Sequence, residues 1–249
     1  NGVYTASRRN MHEEIASRIA AEGRSSSDPF IIVVGGAPGS GKTHFIQLIQ
    51  ELGLVNANYF IQISADRLKE EIPEYHRQFR KIPFAAQHVH DESVDIRTLL
   101  FFHAVEINRN IILETAFTDK VAIEQSLADL RRQKPEYKVI FIHINSDGPL
   151  NEVRIENRNE NSERMVDPQI GSQSVDKSKS TFQELRALAD YSLELENPAT
   201  DIIEVRSVSD QRSVRSGLRI PLQLKQPLPQ NENNPTSHLV GLIVSPERY

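Results

Sequence analysis

The chain contains no cysteine. That excludes disulfides, thiolate metal sites and a thiol nucleophile. The compartment stays open, because a reducing cytosol and passage through a secretion apparatus both suit such a chain. No run of about 18 uninterrupted apolar residues occurs, so no segment reads as a membrane span. A basic-then-apolar N-terminal stretch, the mark of a secretion signal, is missing too. A chain that starts at Asn1 leaves room for a leader upstream. Excess positive charge is also lacking: 29 lysines and arginines stand against 34 aspartates and glutamates, a net charge of −5. This balance argues against nucleic-acid binding by bulk phosphate neutralisation. What is present is 249 residues, 38% hydrophobic and 25% charged. That is enough apolar matter for one large domain, or one domain with decorations.

Residues 10–22 predict a helix, with Ile15, Ala16, Ile19 and Ala20 at helical spacing. The run RSSSDP (24–29) predicts a loop. FIIVV (30–34) is a short, continuous, β-branched run, as in a buried parallel strand. Similar runs recur at 59–63, 110–114, 138–144 and 201–205, with helical patterns at 42–52, 92–108, 119–134, 150–163 and 176–191. Such alternation predicts an α/β fold, a three-layer sandwich around a mainly parallel five-stranded sheet. The expected organisation is an N-terminal helix and linker over 1–27, a main domain over 28–207 and a C-terminal arm over 208–249. Five prolines follow Ser216, which suits an extended arm or a mobile tail. HLVGLIV (238–244) has the pattern of an added strand.

The segment Gly36-Ala37-Pro38-Gly39-Ser40-Gly41-Lys42-Thr43 fills every position of G-x-x-x-x-G-K-[ST], with a strand before it and a helix after it. Glycines let backbone N–H groups converge on phosphate oxygens, and the helix N-terminus favours their charge. Lys42 reaches the β- and γ-phosphates and Thr43 ligates magnesium, so the segment reads as a nucleoside triphosphate site. No N-K-x-D base-reading motif appears, and no strand ends in an apolar-Asp-Glu run, which argues against a switch GTPase and a motor ATPase. The second strand instead ends in Ile63-Ser64-Ala65-Asp66. An Asp there faces the ligand crevice of such sheets and suits a general base or a magnesium partner. Its bland alternative is an N-cap for the helix that follows. His44 reads as packed on the first helical turn, Phe101 and Phe102 as core, and Tyr75 as packing; His88, His90 and His103 lack metal-ligand spacing.

Asp66-Arg67-Leu68-Lys69-Glu70-Glu71-Ile72-Pro73-Glu74-Tyr75 resembles the zeta-toxin signature D-x-x-[RK]-x-x-H-P-x-[YF]. Asp91-Glu92-Ser93 and NIILET (110–115) are similar to that family's E-S and N-x-I-x-E-G-T blocks, and Arg154, Arg158 and Arg164 to its arginine-bearing lid. The resemblance spans about residues 28 to 195. It implies a P-loop kinase fold and transfer of the γ-phosphate of ATP or GTP, with Mg2+, to a sugar hydroxyl of UDP-N-acetylglucosamine. On this implication Lys42 and Thr43 hold phosphates and magnesium, and Asp66 is the base. Glu92, Glu114, Thr115 and Arg67 contact the acceptor, while Arg158 and Arg164 neutralise the transferring phosphoryl group. The bland alternative for the arginines is a solvated helix face paired with Glu156, Glu160 and Glu163, and Arg154 fits it best.

Two positions depart from the family pattern. Ile72 replaces His, and Thr115-Ala116-Phe117-Thr118 replaces a Gly-Thr run followed by an arginine. The departures leave NAD or another nucleotide as alternative acceptors. A nucleoside or polynucleotide acceptor, or a nucleotide-binding module without chemistry, are the remaining readings. A toxic kinase also implies a cognate antitoxin or inhibitor. The site of action is the cytoplasm, of the producing cell or of one into which the protein is delivered.

Overall fold

The computed structural model describes residues 4–75, 85–161, 167–197, 204–210, 213–216 and Leu239. Its strands are β1 (Phe30–Gly35), β2 (Phe60–Ile63), β3 (Asn110–Thr115), β4 (Lys138–Asn145), β5 (Tyr191–Glu196), β6 (Glu204–Asp210) and β7 (Ser213–Ser216). Its helices are α1 (Ala6–Glu22), α2 (Lys42–Glu51), α3 (Ala65–Leu68), α4 (Ala85–His88), α5 (His90–Glu106), α6 (Lys120–Gln133), α7 (Gly148–Asn161), α8 (Gln169–Gln173) and α9 (Val175–Leu185). One sheet runs β2-β3-β1-β4-β5-β6-β7. The first five strands are parallel, and β6 and β7 add an antiparallel edge.

The strand runs are continuously apolar because both faces of the sheet are covered. Ile31, Val33, Ile111, Val139 and Phe141 face a core shared with α1, α5, α6 and α9. Phe30, Ile32, Val34, Ile140 and Ile142 alternate with them onto the opposite face, against Phe45, Ile46 and Ile49 of α2. Each such side chain contributes about 1.5–3 kcal/mol on burial. The three-layer α/β expectation therefore holds, with a parallel block of five strands.

The fifth parallel strand is not where the sequence places it. It is β5 at 191–196, whose alternation of Ser192 and Glu194 with Leu193 and Leu195 hides it from a search for apolar runs. Buried Glu194 accepts at Oε2 from Gln183 Nε2 of α9 at 3.0 Å. Residues 204–205 of the expected run start the antiparallel β6, while 201–203 lie outside the described residues. The expected boundary at 207/208 falls inside β6. Nor is α1 an appendage, because Ile15, Ala16 and Ala20 enter the same core as α5. Of the stretch 238–244 only Leu239 is described; it is buried, and its N–H donates to the Leu54 carbonyl at 3.2 Å. Phe102 is exposed rather than core, since the buried stripe of α5 runs through Ile96, Leu100 and Ala104. Among the described residues no helix is long and apolar enough to cross a membrane.

Candidate functional site

The carboxyl ends of the parallel strands converge on one cavity of about 2190 Å³. β1 delivers the phosphate-type loop to its floor. Gly39 and Gly41 have φ of +81° and +95°, the left-handed region that glycine enters at no steric cost. A Cβ on Gly39 would meet the Asn151 carbonyl oxygen at 2.7 Å, and one on Gly41 would collide with the Asn197 side-chain amide. That amide closes the loop from the far end of β5: Asn197 Nδ2 donates to the Ser40 carbonyl at 2.7 Å. Lys42 Nζ lies across the loop and donates to the carbonyls of Gly36 and Ala37 at 2.8 and 3.0 Å. The first turn of α2 carries no acidic residue, so its amide dipoles are available to an anion. Beneath the loop His143 stacks on Phe182, and burial pushes its pKa down to about 3, which keeps it neutral.

The neighbouring strands on the other side supply the carboxylates. Glu114, opposite Val34 in the β1–β3 register, accepts from Thr43 Oγ1 at 3.4 Å. Ser64, at the end of β2, takes the N-cap position of α3 and leaves Asp66 inside the first turn. Asp66 is thus not the N-cap that the bland reading makes it. Its Oδ1 accepts from Lys69 Nζ at 3.0 Å, and Lys69 is only 4% exposed. The pair fixes the carboxylate at the cavity wall. His90, at the start of α5, is held below its ordinary pKa by burial and by the Lys69 charge, with Asp66 and Asp91 opposing.

Arginines come from the opposite bank. Arg154 of α7 donates to the Gly39 carbonyl at 3.4 Å and to Asn197 Oδ1 at 3.3 Å. Burial lowers its pKa. It therefore leans over the loop instead of facing solvent. Arg158, one turn on, lines the same cavity. Arg164 lies outside the described residues.

The structure brings Lys42, Thr43, Asp66, Arg67, Glu114, Thr115 and Arg158 to one cavity. Arg67 is exposed there, 3.5 Å from Gln62 Oε1. Glu92 does not line the cavity. Its carboxylate is taken by α1, where Arg8 and His12 both bond Oε1 at 2.5 Å. Arg8 also forks onto Glu74 at 2.6 and 2.8 Å, and Tyr4 donates to Asp95 at 2.7 Å. Burial and that bond push the Tyr4 pKa up to about 12. His44 is exposed on the cavity wall rather than packed. Sequence reasoning missed Lys69, His90 and Asn197 as parts of the site, and it placed Arg154, although named with the lid, on a solvated face. Only Lys69 had a signal, as the basic position of the Asp66 block.

Magnesium fits the hydroxyl of Thr43 and the carboxylate of Glu114. Both are hard oxygen donors within reach of one ion, which completes its shell with phosphates and water.

The family model for zeta toxin matches residues 13–197. Among solved structures, the PezAT chromosomal toxin–antitoxin system of the human pathogen Streptococcus pneumoniae matches with a TM-score of 0.63 at 16% identity, covering 78% of this chain and 80% of that one. The AvrRxo1-ORF1:AvrRxo1-ORF2 complex with ATP matches with 0.62 at 14% identity, covering 98% and 74%. The same pair with sulphate ions gives 0.61 at 16%, covering 99% and 75%. At such identities these likenesses speak for the fold. A comparison with curated proteins gives no match. The family match runs from within α1 to Asn197, the residue that closes the phosphate loop, and by it the chain belongs to the zeta toxin family.

Proposed function

We propose that this protein is a kinase that transfers the γ-phosphate of ATP or GTP to a hydroxyl of a nucleotide-linked small molecule, with UDP-N-acetylglucosamine as first candidate. One observation carries this reading: the phosphate loop and Asp66 line a single cavity. A module that only binds nucleotide has no use for a buried lysine that holds a carboxylate at that wall.

In the reaction the acceptor hydroxyl gives its proton to Asp66 while its oxygen bonds to the γ-phosphorus. The bond from that phosphorus to the β–γ bridging oxygen breaks, and the nucleoside diphosphate leaves. Lys42, Arg154 and Arg158 neutralise charge on the phosphates, and Arg164 does so by resemblance. Thr43 and Glu114 would hold magnesium, which would supply positive charge to the β- and γ-phosphates. Positioning is the rest of the catalysis, and the Asp66–Lys69 pair supplies it.

The chain departs from the family pattern at Ile72, which is buried in the core away from the cavity, and at Thr118, which lines the acceptor wall without a charge. NAD or another nucleotide is therefore the alternative acceptor. One neighbour is a toxin–antitoxin system and another a two-component complex. In line with them, a cognate inhibitor that covers the nucleotide site belongs to this proposal, as does action in the cytoplasm of the producing or a target cell.

The test is mass spectrometry of UDP-N-acetylglucosamine, other UDP-sugars, NAD and nucleosides incubated with protein, ATP and magnesium. An Asp66→Asn variant runs beside the wild type. One compound gaining a phosphoryl group with wild type, and about 10²–10⁴-fold more slowly with the variant, supports the kinase. Equal behaviour of the two proteins, with ATP bound, sinks it in favour of a binding module.

A further inference from the structure

One face of α5 walls the acceptor half of the cavity. His90, Val94, Arg97 and Phe101 all line it, at the spacing that stacks side chains in one stripe. The adjoining stripe, Ile96, Leu100 and Ala104, is core. Carboxylates dominate this half: Asp66, Glu70, Asp91, Asp95, Glu114 and Asp119 line it as well. Three cations answer them. Lys69 is bonded to Asp66, and Arg67 is exposed beside Gln62.

Arg97 stands apart. It is half-buried, and among the described residues no hydrogen bond or ion pair engages its guanidinium. Asp119 is its neighbour in charge, yet that carboxylate caps α6 by accepting from the Ala122 N–H at 3.1 Å. Burial lowers the Arg97 pKa, with Asp119 opposing. An arginine stays protonated in proteins. A half-buried guanidinium without a bonded partner keeps its five N–H donors available to an anion that enters the cavity.

We propose that Arg97 is the anion anchor of the acceptor: its planar fork binds a phosphate or diphosphate of the acceptor molecule. This rests on the kinase reading and names the acceptor class within it. Arg97 lies two helical turns, about 10 Å, along α5 from His90, which feels the charge of Asp66. The anchored phosphate and the reacting hydroxyl therefore belong to different parts of one molecule, as in a nucleotide sugar or a dinucleotide. The carboxylates around Arg97 suit the sugar hydroxyls of the acceptor, which leaves its phosphate to the guanidinium.

The experiment compares wild type, Arg97→Met and Arg97→Lys in the full chain, with circular dichroism and thermal melting to confirm folding. Each protein receives ATP, magnesium and a panel of UDP-N-acetylglucosamine, NAD, N-acetylglucosamine, uridine and adenosine. The expected result is that wild type phosphorylates a phosphate-bearing member only. Arg97→Met then raises KM for that acceptor about 100-fold, the worth of a charge-assisted fork. KM for ATP and the basal hydrolysis of ATP stay unchanged, and Arg97→Lys falls between. Equal use of phosphate-free members overturns the proposal. So does a drop in kcat with acceptor KM unchanged, or ATP hydrolysis without transfer to any phosphate-bearing member. Failure of the kinase reading looks different: ATP is bound, but neither hydrolysed nor transferred by any of the three proteins.

Discussion

The two halves of the cavity are built in different ways. On the donor half the contacts are backbone: glycines at positive φ, carbonyls that receive Lys42, and an amide from Asn197 that fastens the turn. On the acceptor half they are side chains contributed by α3, α5 and the segment after β3, braced from behind by α1. A backbone cradle fits any nucleoside triphosphate, because every one presents the same phosphates. A wall of side chains is free to change with the acceptor while the donor site stays as it is. Of the two departures from the family pattern, Thr118 lies on the acceptor half and Ile72 in the core, and neither touches the phosphate loop.

Substitutions that strike one half at a time test the contrast. The largest effect is expected from Gly41→Val, which forces a β-branched residue to φ +95° and drives its Cβ into Asn197. Strain plus the lost bond weakens ATP binding about 10³-fold, read by calorimetry. ATP affinity like that of wild type would break the claim that the donor half is a backbone construction.

Lys69→Met strikes the other half. With the Lys69 bond gone, the Asp66 carboxylate is held less firmly at the cavity wall, and transfer falls about 100-fold while ATP affinity holds. A parallel loss of ATP affinity would show that the two halves are not separable.

Arg8→Ala removes the brace. Its bonds to Glu92 and Glu74 hold both carboxyls below their usual range, so their contribution is complete above the ordinary Glu value of about 4.3. It is lost as the pH falls through the lowered values. The variant is therefore less stable by about 2 kcal/mol at neutral pH, and the gap to wild type closes in acid. Denaturant melts at a series of pH values read it directly. A gap that does not vary with pH would assign the effect to packing rather than charge.

The same division explains what the sequence makes legible. The phosphate loop is local, eight successive residues between a strand and a helix, so its glycines, Lys42 and Thr43 stand out before any fold is known. Asp66 is legible as a strand-end acid, but the lysine that fixes it became meaningful only when found buried beside it. Glu92 shows the opposite failure. A motif position suggests an acceptor contact, whereas the packing of α1 on α5 gives its carboxylate to Arg8 and His12. Nothing in the local pattern reveals which helix will lie against which. β5 was hidden for a related reason, since Glu194 inside the sheet meets Gln183 of α9, a residue far from it in the local pattern. Arg97, an ordinary helical residue on paper, gains its interest from a neighbour that is already occupied.

The bond between Asn197 and the Ser40 carbonyl joins residues 157 positions apart. A growing polypeptide thus displays its complete nucleotide motif early in synthesis but lacks the clasp that shapes it until β5 has been made. Short fragments that carry the motif hold the letters of the site without its form. The Asn197 clasp is among the last parts of the matched region to be made, so a chain that ends before β5 carries the whole motif without that bond.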